Sequence, residues 1–176
     1  KKMNNTFVIE NTTLITMNEK RELLKKASIV ISGDRIKEIG DLDIIHEKYP
    51  EAQFIDGGGK VVIPGLINSH SHIAMSFQKG VTLAVPEGLY RVMWPVDKAL
   101  TPEDIYKGAL VGGAEALLNG CTTVVDHYFA MEEIAKATVE LGLRGFLGHT
   151  IMSRLGPFIG DKEFKEGIDF AHRWKG

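Results

Sequence analysis

Cysteine is almost absent from this chain. Cys121 is the single cysteine in a sequence of 176 residues, so no disulfide can form within the chain. A small secreted domain held together by disulfides is therefore excluded, and the one thiol fits a reducing compartment. We expect Cys121 to be a small buried residue of a strand rather than a reactive group.

Long apolar runs and an excess of charge of one sign are also missing. No apolar stretch approaches the ~18 residues of a membrane span, and Lys1–Asn4 precede no apolar block of the signal-peptide type. The 21 basic and 23 acidic residues are interspersed, so no basic face indicates nucleic acid or anionic lipid as a partner. We expect a cytoplasmic globular protein that binds neither nucleic acid nor a membrane.

The most informative segment is Pro64–His72, where an apolar run ends in two histidines, His70 and His72. Side chains alternate along a strand, so residues two apart point to the same face. Neutral imidazole nitrogen is a favoured ligand for Zn²⁺ and also suits iron. The alternative is a pair of turn or core histidines, but the strand-like Leu66–Ile67 directly before them favours half of a metal site.

At these residues the chain resembles the amidohydrolase superfamily, whose first barrel strand ends in His-x-His after a Pro-Gly-Leu-Ile or Pro-Gly-Leu-Val segment. More narrowly, it resembles the aminohydrolase branch, which deaminates purines, pterins, triazines and nucleosides such as S-adenosylhomocysteine. The resemblance extends from Thr6 to Trp174. The narrower match rests on Trp94-Pro95, on Leu100–Asp104 followed by Tyr106, and on Gly120–Asp126.

Two regions differ in their pattern of secondary structure. Residues 1–63 predict a small β-rich domain with strands at 7–9, 14–16 and 61–63, a hairpin of 28–32 and 35–39, and a helix at 41–49. Residues 64–176 predict alternating strands and helices, the pattern of parallel βα units. The strands are at 66–72, 122–126 and 144–149. Thr101 is the predicted N-cap of the first helix, the second helix begins at Glu132, and Asp161 is the predicted cap of the last helix.

The predicted fold class is α/β, and the resemblance makes it the N-terminal portion of a metal-dependent (β/α)₈ TIM barrel with a small flanking β-sandwich domain. A complete barrel needs about 200 to 250 residues, whereas residues 64–176 supply about three βα units. In the family, two further histidines, an aspartate and a general acid/base glutamate come from later strands. The catalytic residues are therefore expected beyond residue 176, and the isolated chain should bind metal weakly and show no turnover.

Three residues are candidates for substrate binding. His127 follows Asp126 and points to the opposite face of the strand, so substrate contact and packing both remain open, whereas Asp126 is expected to accept backbone hydrogen bonds. His149 ends the third predicted strand, and TIM-barrel enzymes carry their active-site residues at the carboxyl ends of strands. Asp97 follows Trp94-Pro95, where adenosylhomocysteine-type deaminases carry an acid that faces a ribose; an exposed acid before a helix is the alternative.

Two features count against S-adenosylhomocysteine as the substrate. The resemblance implies an arginine near His149 for the substrate carboxylate, and none is present there. The segment from Val81 to Met93 also lacks the Asp-Leu-Pro-Leu pattern of those deaminases. Arg154, in the loop after the third predicted strand, is interpreted as a surface residue, with anion binding as the alternative.

The resemblance implies a hydrolase of C–N bonds other than peptide bonds, with Zn²⁺ or Fe²⁺ as its cofactor. The metal would make hydroxide available at neutral pH to attack an amidine carbon of a nitrogen heterocycle. One alternative is a cyclic-amide hydrolase of the same superfamily, which the pattern from Thr101 to Asp126 disfavours. The other is a non-catalytic truncated or split-barrel fragment. The partners expected for this chain are the heterocyclic substrate and either the remainder of the barrel or a complementary polypeptide. A second copy of the chain is a further expected partner.

Overall fold

The computed structural model of the chain describes residues 6–81, 85–152 and 160–175. The chain divides into two compact units, Lys1–Pro64 and Gly65–Gly176. Within the described ranges, no helix has the length and apolar character needed to cross a membrane.

The first unit is a sheet with one helix. The elements are β1 (Thr6–Ile15), β2 (Leu23–Ser32), β3 (Arg35–Gly40), α1 (Leu42–Lys48), β4 (Gln53–Asp56) and β5 (Val61–Val62). The sheet has the order β3-β2-β1-β4, and β5 also pairs with β1. Strand β2 is antiparallel to both β1 and β3, whereas β4 and β5 run parallel to β1.

The predicted strands at 7–9 and 14–16 form one continuous strand, β1. The pairing register with β2 shifts between Ile9 and Thr12, and Asn11 between them has φ 51°. A bulge of this kind interrupts the alternation of side chains without ending the pairing. The sequence pattern therefore predicted two short strands where the structure has one.

The predicted hairpin and the predicted helix of the first unit are confirmed. Ser32 pairs with Arg35 across a two-residue turn, and Gly33 has φ 61°, a value that glycine adopts without steric cost. Helix α1 begins after Asp41, whose side chain accepts a hydrogen bond from the Asp43 amide at 3.0 Å. It buries Ile45 against the sheet. Strand β4 was not predicted, because its four residues carry too short an apolar pattern.

The second unit is a parallel sheet with helices between its strands. Its main elements are β6 (Leu66–Ser71), α3 (Pro102–Leu118), β7 (Cys121–Tyr128), α4 (Met131–Glu140), β8 (Arg144–His149) and α5 (Asp161–Arg173). A 3₁₀-helix (Ile73–Gln78), a π-helical turn (Leu89–Met93) and α2 (Trp94–Ala99) connect β6 to α3. The three strands have the order β6-β7-β8, and this mixed α/β pattern confirms the predicted alternation of strands and helices.

Helix α3 begins as its sequence predicts and packs unusually close to the chain after β6. Thr101 and Asp104 form a reciprocal capping box, and Pro102 occupies the first turn. A Cβ atom on Gly112 would lie 2.2 Å from the carbonyl oxygen of Ile73. Glycine therefore allows α3 to contact the backbone directly after His72. Helix α5 differs from its prediction, since Gly160 occupies the N-cap without a side-chain hydrogen bond and Asp161 is the first helical residue.

The helices cover one face of the second sheet and leave the other open. Val124 is buried in the core with residues of α3 and α4 such as Ala109 and Ile134. On the opposite face, Ile67 is 66% exposed and Phe146 is 68% exposed. Parallel sheets are normally covered on both faces, whereas this sheet has one apolar face that the described residues leave exposed.

Candidate metal centre

Three histidines meet where the parallel strands β6 and β7 end. His70 and His72 come from the end of β6, and His127 comes from β7. The ring centroids lie 5.0 Å apart for His70 and His72, 4.5 Å for His72 and His127, and 5.5 Å for His70 and His127. One ring nitrogen from each residue lies within 4.8 Å of the others. We call this group the three-histidine cluster.

Hydrogen bonds fix the orientation of two of these rings. Nδ1 of His72 lies 2.7 Å from the carbonyl oxygen of His127. A carbonyl oxygen only accepts, so Nδ1 of His72 carries the proton and Nε2 keeps its lone pair. Nδ1 of His127 lies 3.0 Å from Oγ1 of Thr150. This pattern, one ring nitrogen bonded to protein oxygen and the other free, is the pattern of metal-binding histidines.

The electrostatics favour a neutral imidazole at His127. Burial lowers the pKa of His127, and the neighbouring rings of His72 and His70 lower it further, because two positive rings at this distance would repel each other. A neutral His127 adds no positive charge beside His70 and His72, the predicted metal ligands.

Asp126 connects the two strands on the face opposite the three-histidine cluster. It is 2% exposed, and its Oδ2 accepts hydrogen bonds from the Ile73 amide at 2.7 Å and from the Ser71 hydroxyl at 3.4 Å. Both donors flank His72 in the sequence. Burial raises the pKa of Asp126, although the hydrogen bond from Ile73 opposes this effect. The structural role predicted for this carboxylate agrees with these contacts.

We expect Asp126→Ala to lower the free energy of unfolding by about 1 to 3 kcal/mol, because the buried Ile73 amide would lose its acceptor. Urea denaturation followed by circular dichroism measures the change. Asp126→Asn is the matched control, since its carbonyl oxygen can still accept from Ile73 and the loss should be smaller. Equal losses in the two variants would contradict this role of the hydrogen bond.

Asp97 lies in α2 and is buried, not exposed. Its Oδ1 accepts hydrogen bonds from the Tyr128 hydroxyl and from Nε2 of Gln78, the latter at 3.1 Å. Burial and the hydrogen bond to Asp97 raise the pKa of Tyr128 well above its ordinary value. One oxygen of Asp97 is thus already occupied by protein donors, and sequence reasoning missed both of them. The predicted contact of Asp97 with substrate stays a prediction.

His149 is directed away from the three-histidine cluster. It pairs in register with Tyr128 on β7, whereas His127 pairs with Gly148. Registered residues of parallel strands share a face, so His149 faces the helices with Tyr128 and not the open side with His127. Its Nε2 lies 2.9 Å from Oε2 of Glu163 on α5. His149 thus forms a buried pair that attaches α5 to the sheet, and its contact with substrate stays a prediction.

We expect His149→Ala to lower the free energy of unfolding by about 1 to 3 kcal/mol, because Glu163, whose side chain is 12% exposed, would lose its partner. Metal affinity should stay unchanged. Chemical denaturation and zinc titration of the same samples measure the two effects. His172→Ala, an exposed position on α5, is the control and should change neither. A loss of zinc affinity in His149→Ala without a loss of stability would contradict this stabilising role and place His149 near the metal site.

Arg154, the other candidate of this region, lies outside the described residues. The described part of the chain instead shows a groove of about 570 Å³ beside His72. It is lined by the end of β6 and the segment that follows, by Gly112, Glu115 and Ala116 of α3, and by Cys121 at the start of β7. Separately, one edge of β6 has no strand partner within the described residues. An edge of this kind is normally paired or covered in a folded protein.

The donor set of the cluster fits a divalent cation. Zn²⁺ binds imidazole nitrogen at about 2.0 to 2.1 Å, which places two tetrahedral ligands roughly 3.4 Å apart. The ring nitrogens of the three-histidine cluster, all within 4.8 Å, need only a small contraction to reach this spacing. In His72 and His127, Nδ1 is bonded to a protein oxygen and Nε2 is the remaining ring nitrogen, as in metal-binding histidines.

Comparison with known proteins identifies the relatives of this chain. The sequence model of the Amidohydrolase family matches residues 61–175. The chain is 39% identical over 173 residues to a 5-methylthioadenosine/S-adenosylhomocysteine deaminase of Carboxydothermus hydrogenoformans, covering 97% of the chain and 39% of the relative. It is 36% identical over 172 residues to a 5'-deoxyadenosine deaminase of Methanosarcina mazei, with the same coverage of 97% and 39%. The chain thus spans about two fifths of the length of these curated relatives.

A solved structure shares the fold. The chain superposes on atrazine chlorohydrolase from Arthrobacter aurescens TC1, a structure complexed with zinc, with a TM-score of 0.79 and 23% identity. The superposition covers 97% of this chain and 43% of the other. The match at the family level confirms the resemblance that the Pro64–His72 segment indicated. With the family model covering most of its length, the chain belongs to the amidohydrolase family.

Proposed function

We propose that this chain is part of a metal-dependent aminohydrolase that removes ammonia from an amidine carbon of a nitrogen heterocycle. The observation that carries the proposal is the convergence of His70 and His72 with free ring nitrogens at one strand end. Curated relatives named as deaminases support the reaction type. His70 and His72 are the proposed metal ligands.

Zn²⁺, or Fe²⁺, is the proposed cofactor. A divalent cation held by His70 and His72 would lower the pKa of a water molecule and so make hydroxide available at neutral pH. The chain's own part is to hold the cation and to orient its ligands. The Ile73 and Ser71 contacts of Asp126 fix the backbone on both sides of His72, and the carbonyl of His127 fixes the ring.

We propose that the second unit is the first part of a (β/α)₈ barrel and that residues 1–63 form the flanking β-sandwich domain. The open face with Ile67 and Phe146 and the unpaired edge of β6 both support further strands. The three-histidine cluster then lies at the carboxyl ends of the strands, where barrel enzymes place their active sites. The acid/base group that protonates the leaving amine would come from the added strands.

The proposed substrate class is an aminated purine, with pterins and triazines as the next candidates. Two relatives are named for adenosine derivatives, which supports the purine. The sequence has no arginine beside His149 for a substrate carboxylate. We therefore expect a purine nucleoside without a carboxylate, such as 5'-deoxyadenosine, to be a better substrate than S-adenosylhomocysteine.

The test is an ammonia-release assay on the full-length gene product loaded with Zn²⁺ or Fe²⁺. The panel contains 5'-deoxyadenosine, 5'-methylthioadenosine, S-adenosylhomocysteine, guanine, a pterin, an aminotriazine and, as a control, dihydropyrimidine cyclic amides. Release of ammonia from an aminated ring with no hydrolysis of the amides supports the proposal. Hydrolysis of the amides alone would assign the protein to the cyclic-amide branch.

A further inference from the structure

We propose that Asp97 is a positioning residue, which anchors the connection between β6 and α3 (residues 73–101) to the end of β7. The inference rests on the proposed function in taking the strand ends as the active site of an aminohydrolase. In barrel enzymes, the connections between a strand and its following helix build the active site. The connection after β6 is one of these, and it begins directly after His72.

The Asp97 carboxylate joins three separate segments. Asp97 lies in α2, Gln78 ends the 3₁₀-helix, and Tyr128 ends β7. Oδ1 of Asp97 accepts hydrogen bonds from the Tyr128 hydroxyl and, at 3.1 Å, from Nε2 of Gln78. One oxygen atom therefore ties the start of the connection to α2, and α2 to the sheet.

Residues 85–99 depend on this carboxylate for their polar attachment. Within the part of the chain that the structure describes, Asp97 forms the only side-chain hydrogen bonds between residues 85–99 and the rest of the unit. The start of the connection has anchors of its own, since Oγ of Ser76 donates to the Gly108 carbonyl on α3 at 2.9 Å. Loss of the bonds to Asp97 would therefore release α2 and leave the first turn of the connection attached to α3.

Burial makes the network dependent on each of its members. Asp97 is 6% exposed, Tyr128 is 4% exposed and Gln78 is 7% exposed. Both donors to Asp97 are neutral groups, and a buried carboxylate is costly unless hydrogen bonds satisfy it. A hydrogen bond to a charged group is also about twice as strong as one between neutral groups. Removing one donor leaves this charge under-solvated, which favours movement of α2 toward solvent.

The anchor point lies one residue from the three-histidine cluster. Tyr128 follows His127, whose carbonyl oxygen accepts from Nδ1 of His72 at 2.7 Å. Met93, directly before α2, lines the same groove as His72. The position of α2 therefore decides which side chains of the connection lie beside the site, whereas the proposed metal ligands belong to the end of β6. We expect Asp97 to affect substrate binding and not metal binding.

Hydrogen–deuterium exchange of the full-length gene product measures the anchor independently of activity. We expect Tyr128→Phe, which removes a single hydroxyl group, to raise the amide exchange rate of residues 85–101 about 10-fold, because a hydrogen bond to a charged group is lost. Asp97→Ala should have at least this effect, and the double variant should exchange no faster than Asp97→Ala. Tyr106→Phe is the matched control, since it removes a bond from tyrosine to Glu140 between α3 and α4 and should leave residues 85–101 unchanged.

Steady-state kinetics with an aminated purine nucleoside test the consequence for the reaction. Tyr128→Phe and Asp97→Ala should lower kcat/KM about 10- to 100-fold, the size of a misplacement effect, with most of the loss in KM and with unchanged zinc content. Asp97→Asn keeps an acceptor oxygen and should have a KM near the wild-type value. A raised KM in Asp97→Ala with a wild-type KM in Tyr128→Phe would indicate direct substrate contact by Asp97 and overturn the positioning role.

The two measurements separate this inference from the proposed function. Thermal melting establishes that each variant is folded. Wild-type exchange in Tyr128→Phe and Asp97→Ala would overturn the anchor even if the wild-type protein releases ammonia, and faster exchange with a wild-type KM would overturn the positioning role. Faster exchange in both variants, with no ammonia release from any substrate by the wild-type protein, would support the anchor and reject the proposed function. Faster exchange together with a raised KM in both variants supports both.

Discussion

Replacing both His70 and His72 with alanine is expected to abolish metal binding and ammonia release by the full-length gene product. The two rings are the proposed metal ligands and supply two of the ring nitrogens of the three-histidine cluster, and the His72 ring is already oriented by the carbonyl of His127. We expect zinc affinity to fall by more than about 100-fold, because losing a ligand costs more than losing a group that orients one. Elemental analysis after dialysis measures the metal content.

His46→Ala combined with His172→Ala is the matched control for this double substitution. Both histidines are exposed and lie on helices outside the three-histidine cluster. The control should keep its metal content and turnover. An unchanged metal content in the His70→Ala and His72→Ala double variant would remove the assignment of these ligands.

Gly65→Val is expected to produce a large loss of stability in the second unit. A Cβ atom at this position would lie 2.2 Å from Oγ1 and 2.8 Å from Cβ of Thr122, closer than atoms can pack. Overpacking costs about 1 to 3 kcal/mol, occasionally more, and we expect a value at or above the upper end. Chemical denaturation of purified variants measures it, or the soluble yield if the variant does not fold.

Two substitutions test the cause of that loss. Gly148→Ala, in the same sheet, places its Cβ no closer than 3.8 Å to another atom and should change stability little. In a double-mutant cycle of Gly65→Ala and Thr122→Gly, the two changes should partly compensate, because removing the Thr122 side chain makes room for the new methyl group. A fully stable Gly65→Val protein, or strict additivity in the cycle, would show that the position is permissive.

The local features of the fold followed from the sequence where one short pattern was sufficient. The Gly33-Asp34 turn determined the β2–β3 hairpin, and Thr101 with Pro102 determined the start of α3. The Pro64–His72 segment indicated both a strand and its family. Strand β1 was divided in two because a bulge at Asn11 breaks the alternation on which strand prediction depends.

The candidate site was predictable only in part, because its other features depend on contacts between strands. Alternation along one strand places His70 and His72 on one face, but only the pairing of Ser71 with Asp126 brings His127 beside them. The strand pairing of β8 would likewise have placed His149 on the helix-facing side of the sheet, since His149 pairs with Tyr128. Asp97 could not be placed from sequence, because its partners Gln78 and Tyr128 come from separate segments.

The most direct test of the central claim is ammonia release by the full-length gene product before and after removal of its metal. With an aminated purine nucleoside as substrate, we expect turnover to disappear after chelation and to return when Zn²⁺ or Fe²⁺ is added. The His70→Ala and His72→Ala double variant should stay inactive under the same conditions. Undiminished ammonia release by the metal-free protein, or by the double variant, would contradict a metal-dependent aminohydrolase with its cation at the end of β6.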